Sequence, residues 1–282
     1  MTPAHAHCDP YSIMSDAQYR ASTRAILLSA GQGRRLLPMT ADTPKCLLPV
    51  AGKPVLEWQL NALLEAGVDE IAIVTGYRPD KVETLVREHH AGQRITPIFN
   101  PFFDVSDNLA SCWMAREFMS GDFLLMNGDV ILDRQVIERV LSSPRAPIVL
   151  TVDHKKSFDD DDMKVQLDGT LVRHVSKKLA RELVNAESIG LLYFRDQGPA
   201  LFRTAVEQAL RHPQGLRQWY LSVVDHLAGQ GVVSACSIDG LPWIELDFPA
   251  DLAAAEARFG DPARAAPRPV HGAHSGHPLQ EP

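Results

Sequence analysis

Several protein classes are excluded by what the chain has little of. Four cysteines, Cys8, Cys46, Cys112 and Cys236, lie far apart and form no CxxC pair. That fits reduced thiols rather than a disulfide framework or a zinc site. No apolar run approaches the ~20 residues needed to span a bilayer. The stretch Met1 to Arg24 has no apolar segment after a basic patch, so it does not read as a secretory signal. A cytoplasmic protein with no membrane association is expected. Positive charge is not in excess either: the formal net charge is -7, which argues against nucleic acid as a partner. An anionic small molecule stays open, because local cations set the field inside a cleft. There is no internal repeat. What is present is 282 residues with 45% hydrophobic content, enough for one large α/β domain or a core with an appendage.

Both ends read as poorly ordered, residues 1–24 and 261–282. The second is rich in Pro, Gly, Ala and His and has almost nothing to bury. Its His271, His274 and His277 are open between weak metal binding and incidental histidines on a solvated tail. Residues 25–260 are expected to form a single domain. Short apolar runs at Ala25–Ala30, Ile71–Gly76, Ile95–Asn100 and Phe123–Asn127 read as strands. Val55–Ala66, Lys81–His89 and Asn108–Met119 read as helices between them. This rhythm implies βαβ units and a Rossmann-like, mostly parallel sheet flanked by helices. The pattern then changes. Pro147–Val152, Met163–Leu167, Leu171–Val175 and Ile189–Phe194 read as strands with few helices between them, expected as a small antiparallel subregion at about 150–195 laid over the sheet on the acceptor side. Gly198–Leu210 and Trp219–Gly229 return to helix, Val232–Ile238 to strand, and Ala250–Phe259 to a closing helix.

The loop after the first strand is the most informative segment. It runs Ala30-Gly31-Gln32-Gly33-Arg34-Arg35-Leu36-Leu37-Pro38-Met39-Thr40, and Pro44-Lys45-Cys46-Leu47-Leu48-Pro49-Val50 follows. In open parallel sheets, ligands bind beyond the carboxyl ends of the strands, where this loop sits. Gly31 and Gly33 let the backbone approach a phosphate chain. Arg35 and Lys45 supply cations for its oxygens. Leu36 stands where a dinucleotide fingerprint has its third glycine, and no GxxxxGK[ST] string occurs. Two carboxylates, Asp129 after the strand Phe123–Asn127 and Asp247 before the last helix, are candidate ligands for a hard cation such as Mg²⁺. Asp129 is also open to a turn-capping role. Asp251 reads as a first-turn helix carboxylate. Glu245, two residues from Asp247, shares its face in an extended segment and is a possible supporting ligand.

The string GxGxRLxPxT, then PKxLLPV and Gly52-Lys53-Pro54, resembles the signature of sugar-phosphate nucleotidyltransferases, a superfamily with a GT-A-like fold. The resemblance implies that Ala30, Gly31, Gln32, Gly33, Arg35, Lys45, Asn108 and Gly128 hold a nucleoside triphosphate. It further implies that Arg35 and Lys45 are catalytic, and that Asp129 and Asp247 bind Mg²⁺. The stretch from Asn100 to Ser111, with Asp162-Met163-Lys164-Val165, Ser176-Lys177-Lys178-Leu179 and Ala186-Glu187-Ser188-Ile189-Gly190, resembles bacterial phosphocholine and aminoethylphosphonate cytidylyltransferases. CTP and a small phosphorylated or phosphonate acceptor are the partners so implied. The chain departs from that pattern at Asp107, where asparagine is usual, and at Cys112-Trp113.

On the acceptor side the candidates are Lys177, Glu187, Tyr193, Trp243 and Glu245. Lys177 is open between an acceptor phosphate and an exposed strand end. Asn108 is open between a ligand contact and an N-cap of its own helix. A choline-like cation wants an aromatic cage, for which Trp243, Tyr193, Phe248, Trp219 and Tyr220 are available. The acid run Asp159–Asp162 reads as a solvated loop or an attractor for an amine. Two other readings stay open, a sugar-1-phosphate nucleotidyltransferase and a catalytically silent nucleotide-sensing subunit. No heptad or apolar patch requires a homo-oligomer, although symmetric assembly is compatible.

Overall fold

The computed structural model describes residues 23–260. The expectations for the N-terminal extension up to residue 22, and for the tail with His271, His274 and His277, lie outside them. Arg24, assigned to that extension, opens the first strand. Among the described residues no helix is long and apolar enough to cross a membrane.

In chain order the elements begin with β1 (Arg24–Ser29), the two-residue strands β2 (Pro49–Val50) and β3 (Lys53–Pro54), and α1 (Val55–Glu65). β4 (Glu70–Thr75), α2 (Pro79–His89), β5 (Ile95–Phe99), α3 (Asn108–Met114) and β6 (Phe123–Asn127) complete the first half. Next come β7 (Val130–Leu132), α4 (Arg134–Leu141), β8 (Ile148–Asp153), β9 (Lys164–Asp168), β10 (Leu171–Val175) and β11 (Ala186–Phe194). The chain closes with α5 (Gly198–Leu210), α6 (Tyr220–Ala228), β12 (Val233–Ser237), β13 (Trp243–Glu245) and α7 (Pro249–Phe259).

Nine strands form one sheet in the order β5-β4-β1-β6-β11-β8-β12-β10-β9. The β5-β4-β1-β6 half is parallel, as the alternating rhythm requires. β11 joins antiparallel to β6 and β8, and β12 runs parallel to β8. The acceptor-side strands are therefore not laid over the sheet, as expected from sequence, but extend it edge to edge. Backbone groups at the edge of β6 find partners in β11, so no second layer is needed. Two further departures have local causes. The helix at Asn108 ends at Met114 and continues as a 3-10 turn at Arg116–Met119, where the Arg116 guanidinium stacks 4.6 Å above the Trp113 ring. α4 is unforeseen although its signals are present: the Asp133 side chain accepts from Gln135 N at 2.9 Å as its cap, and Val136, Ile137 and Val140 are buried.

Alternation within each strand divides the core into two layers. Ile26, Ala72, Leu125 and Leu192 face Leu109, Phe202, Tyr220 and Val224 of α3, α5 and α6. Ala25, Leu27, Ile73 and Met126 face Leu60, Val82 and Ile137 of α1, α2 and α4. A third, smaller cluster packs α7 through Ala255 and Phe259 against Val50, Ile131 and Leu246. Phe123 and Phe194 stack at 4.6 Å between ring centroids, and Phe202 lies 4.5 Å from Phe194. These rings sit at the amino ends of the parallel strands, away from the glycine loop. Phe194→Ala is expected to lower unfolding free energy by ~3–5 kcal/mol in urea titrations, as for other large-to-small aromatic core changes. Substrate KM values should not move.

Candidate active site

Beyond Ser29 the chain leaves the sheet through Ala30–Gly33. Gly33 adopts φ 73°, and a Cβ there would lie 2.8 Å from Lys45 Cβ. Glycine is thus required twice, for the left-handed backbone and for the passage of the lysine. Thr40, fully buried, donates from Oγ1 to the Gly33 carbonyl at 2.9 Å, and Gln32 Nε2 donates to the Thr40 carbonyl at 3.4 Å. Gln32 therefore closes the loop on itself. Leu36 is buried in the core, which explains a leucine where a dinucleotide loop has glycine.

Asp129 sits in the turn between β6 and β7. Gly128 makes the turn possible, since a Cβ would stand 2.5 Å from the Leu28 carbonyl. β13 pairs antiparallel with β7, setting Glu245 opposite Val130. Asp247 follows, and its backbone N–H donates to Asp251 Oδ2 at 2.8 Å. Phe248 N donates to the same oxygen at 2.6 Å, so Asp251 caps α7, in keeping with its first-turn position. Carboxylate oxygens of Asp129, Glu245 and Asp247 lie within 4.8 Å of one another.

Cations balance this cluster. Lys45 Nζ lies 2.8 Å from Asp129 Oδ2 and 2.7 Å from Asp247 Oδ1. Arg35 Nη1 lies 3.1 Å from Asp247 Oδ2, with its guanidinium 5.3 Å from the Phe248 ring centroid. Burial alone would lower the Lys45 pKa, but the charges of Asp129 and Asp247 outweigh it and hold the ammonium above its usual range. Burial opposes ionisation of Asp247 too, and the Lys45 and Arg35 charges reverse the balance, leaving its pKa low. Glu245 lines the open cleft, yet desolvation by the cleft walls, with the charges of Asp129 and Asp247, pushes its carboxyl up to about 8. Asp129 Oδ1 is buried with no hydrogen-bond partner among the described residues. Three hard oxygen donors, one of them unpartnered, suit a divalent cation of the Mg²⁺ type.

The acceptor-side candidates divide. Lys177 Nζ stands 4.9 Å from the Trp219 ring centroid and 3.9 Å from Asp161, and its charge reaches Glu245 and Asp247. Glu187 is buried at the same edge of the sheet as the glycine loop, 2.7 Å from Lys155 Nζ. Lys155 also meets Asp162 at 2.7 Å. Burial raises the Glu187 pKa against the pull of Lys155. Trp243 Nε1 donates to Asp153 Oδ2 at 2.6 Å, and Asp153 pairs with Glu187 across the strands.

Tyr193 is not brought to this group. It pairs with Leu124 near the amino end of β6 and lies under the Arg195 guanidinium, 4.8 Å away. Six strand residues separate it from Glu187, about 20 Å of rise. Asn108 does not cap its own helix: its Oδ1 accepts from Tyr220 N at 2.9 Å, at the start of α6. The aromatic candidates do not share one partner, since Trp219 meets Lys177, Phe248 meets Arg35 and Tyr220 is fully buried. Sequence reasoning missed Asp161, which lies 3.6 Å from Arg35 and close to Lys177. The four-acid run was visible, but nothing in it names its partners.

A family model of the MobA-like NTP transferase domain matches residues 25–279. The chain belongs to that family. It is 31% identical over 264 residues to the CMP-5'-(3-aminopropyl)phosphonate synthase of Streptomyces rubellomurinus, covering 90% of this chain and 41% of that protein. It is 26% identical over 251 residues to the CTP:phosphoglutamine cytidylyltransferase of Campylobacter jejuni, covering 81% of this chain and 97% of that one. The chain thus spans well under half the length of the Streptomyces relative and nearly all of the Campylobacter one. The solved CTP:phosphocholine cytidylyltransferase of Streptococcus pneumoniae shares the fold, with a TM-score of 0.70 at 19% identity over 84% of this chain and 98% of that chain.

The raised Glu245 pKa has a consequence for stability. Its value in the unfolded chain is near 4.5 and in the fold about 8, so folding favours the protonated form. That contribution is complete below pH 4.5 and is lost as pH rises towards 8. With a chelator present, wild type should lose urea stability relative to Glu245→Gln between pH 5 and 8. Solvent at the cleft rim keeps the loss modest. Parallel curves for the two proteins would remove the assignment.

Proposed function

We propose that the protein is a Mg²⁺-dependent cytidylyltransferase that transfers CMP from CTP to a small phosphorylated or phosphonate acceptor and releases pyrophosphate. The observation that carries this reading is the convergence of Lys45, Asp129, Glu245 and Asp247 beside the glycine loop. The names of the Streptomyces and Campylobacter relatives, one a CMP-forming synthase and the other a CTP-using cytidylyltransferase, support the choice of nucleotide.

The chemistry asks little of the protein by way of proton transfer. An ionised acceptor oxygen attacks the α-phosphorus of CTP, a P–O bond forms, and the α–β bridging bond breaks with its electron pair leaving on pyrophosphate. The nucleophile is already an anion, so no general base and no covalent enzyme intermediate are required. The glycine-loop backbone and Arg35 hold the triphosphate, and Lys45 offsets the charge that accumulates on it. Asp129 and Asp247, with Glu245 in support, hold the divalent cation, which when bound neutralises phosphate charge and aligns the leaving group. Lys177, beside Trp219 at the cleft rim, holds the acceptor's phosphate or phosphonate. Glu187 lies deeper on the acceptor side and favours an amine-bearing acceptor.

Pyrophosphate release tests this, with each of four NTPs crossed against phosphocholine, phosphoethanolamine, aminoalkylphosphonates, a phosphorylated amide and sugar-1-phosphates. Turnover with CTP and an amine-bearing acceptor is expected, and turnover with sugar-1-phosphates alone would overturn the acceptor class. Asp129→Ala and Asp247→Ala should fold and lose turnover by several orders of magnitude, and wild-type kcat in either would refute its metal role. Lys177→Ala should raise acceptor KM about tenfold or more, as expected for a lost charge-assisted contact, and spare CTP affinity. Weakened CTP binding with unchanged acceptor KM would move Lys177 to the nucleotide.

A further inference from the structure

A glutamine sits fully buried in the apolar face of α1. Gln59 has no exposed surface and lies among Leu56, Leu60 and Leu63. Polar side chains are kept in such places when their hydrogen bonds are made. Its amide nitrogen makes two, donating to the carbonyls of Asn127 and Val130 at 2.8 Å each. These are the residues on either side of Gly128-Asp129. The other end of the amide, Oε1, is buried with no partner among the described residues. An unsatisfied acceptor is thus tolerated to keep both donors on one turn.

We propose that Gln59 is a positioning residue for the transfer reaction, fixing the turn that carries Asp129 and thereby where that carboxylate meets the divalent cation. The proposal rests on the metal role assigned to Asp129 above. Three backbone contacts hold the same segment. Gly128 N donates to the Leu28 carbonyl at 3.0 Å, Leu246 N donates to the Asp129 carbonyl at 3.0 Å, and Glu245 pairs with Val130. Those tie the turn to β1 and β13. Gln59 ties it to α1, whose first residue, Val55, donates its N–H to the Leu48 carbonyl at 3.0 Å, just after the Lys45 turn. One rigid helix therefore spans from the lysine to the aspartate that it contacts.

Chemistry at the position is restrictive. Two converging carbonyls need two donors on one neutral atom. Leucine has the volume and no donor. Glutamate has the shape, but an ionised carboxylate would face two carbonyl oxygens. Below the turn, the Asn127 side chain accepts from the Tyr220 hydroxyl at 3.0 Å and lies against Gly190, where a Cβ would come within 2.6 Å of Asn127 Nδ2. The turn is thus supported from both sides of the sheet, but Gln59 is the side chain that grips its backbone.

The test compares wild type, Asp129→Ala, Gln59→Leu and Gln59→Glu. Mn²⁺ binding is followed by EPR in the presence of CTP, and steady-state kinetics and melting temperature are measured alongside. Wild-type binding that Asp129→Ala abolishes establishes the metal reading first. If Asp129→Ala binds Mn²⁺ as wild type does, the failure belongs to that reading. Given the metal reading, Gln59→Leu and Gln59→Glu should lower kcat at least about tenfold, the scale of a small misplacement at the reacting centre, with both KM values within about twofold. Their Mn²⁺ affinity should weaken about tenfold. A merely structural role would lower the melting temperature and leave kcat and Mn²⁺ affinity intact well below it, which overturns the proposal. Gln59→Asn, one carbon short with the amide kept, carries the same readouts if the larger changes prevent folding.

Discussion

Lys45 is held between Asp129 and Asp247 at 2.8 and 2.7 Å, and the rest of the active edge depends on this contact. Three carboxylates with oxygens within 4.8 Å of one another repel strongly in a cleft that is only partly wet. The ammonium, with Arg35 at 3.1 Å from Asp247, lets Asp129 and Asp247 sit side by side, while Glu245 is pushed towards its protonated form. Charge of this kind can be redistributed. The cations that neutralise carboxylates here are the same ones a triphosphate would draw on, and a metal would in turn take up the carboxylate oxygens.

That centre is assembled by backbone as much as by side chains. Gly33 clears the path of the Lys45 stem and Gly128 allows the Asp129 turn to press on Leu28. β7 and β13 pair to bring Glu245 and Asp247 alongside. The small third cluster, Val50 and Ile131 against Ala255 and Phe259, anchors α7 behind them. Site geometry and fold stability therefore share the β6–β7 turn, while the aromatic stack of Phe123, Phe194 and Phe202 stabilises the far end without touching it.

The acceptor side is more loosely specified. Its cations and acids are interleaved: Lys177 with Asp161, Lys155 with Asp162 and Glu187, Arg35 with Asp161 and Asp247. Most of these groups lie on the loop between β8 and β9 and on the turn after β10. Lys155 and Arg35 each pair with two acids, so the charges on this side are shared rather than fixed in single pairs.

The sequence by itself determined the alternating strands and helices, because burial on both sheet faces leaves continuous apolar runs. It determined the glycine loop and its two cations as well, because that chemistry is local, carried by neighbouring residues. Asp129 was legible as a carboxylate at a strand end, and Asp247 as one just before the last helix. Tertiary structure alone decided that Lys45 bridges them, that Asp161 joins Arg35 and Lys177, and that Gln59 grips the Asp129 turn, since these contacts join residues from 16 to more than two hundred positions apart. It also decided that Tyr193 lies at the far edge, because β11 runs antiparallel to β6 and carries its later residues away from the cleft. The acceptor-side strands lengthen the sheet instead of covering it for a related reason. A strand pattern records which residues are buried, but not which neighbour's backbone will take the hydrogen bonds.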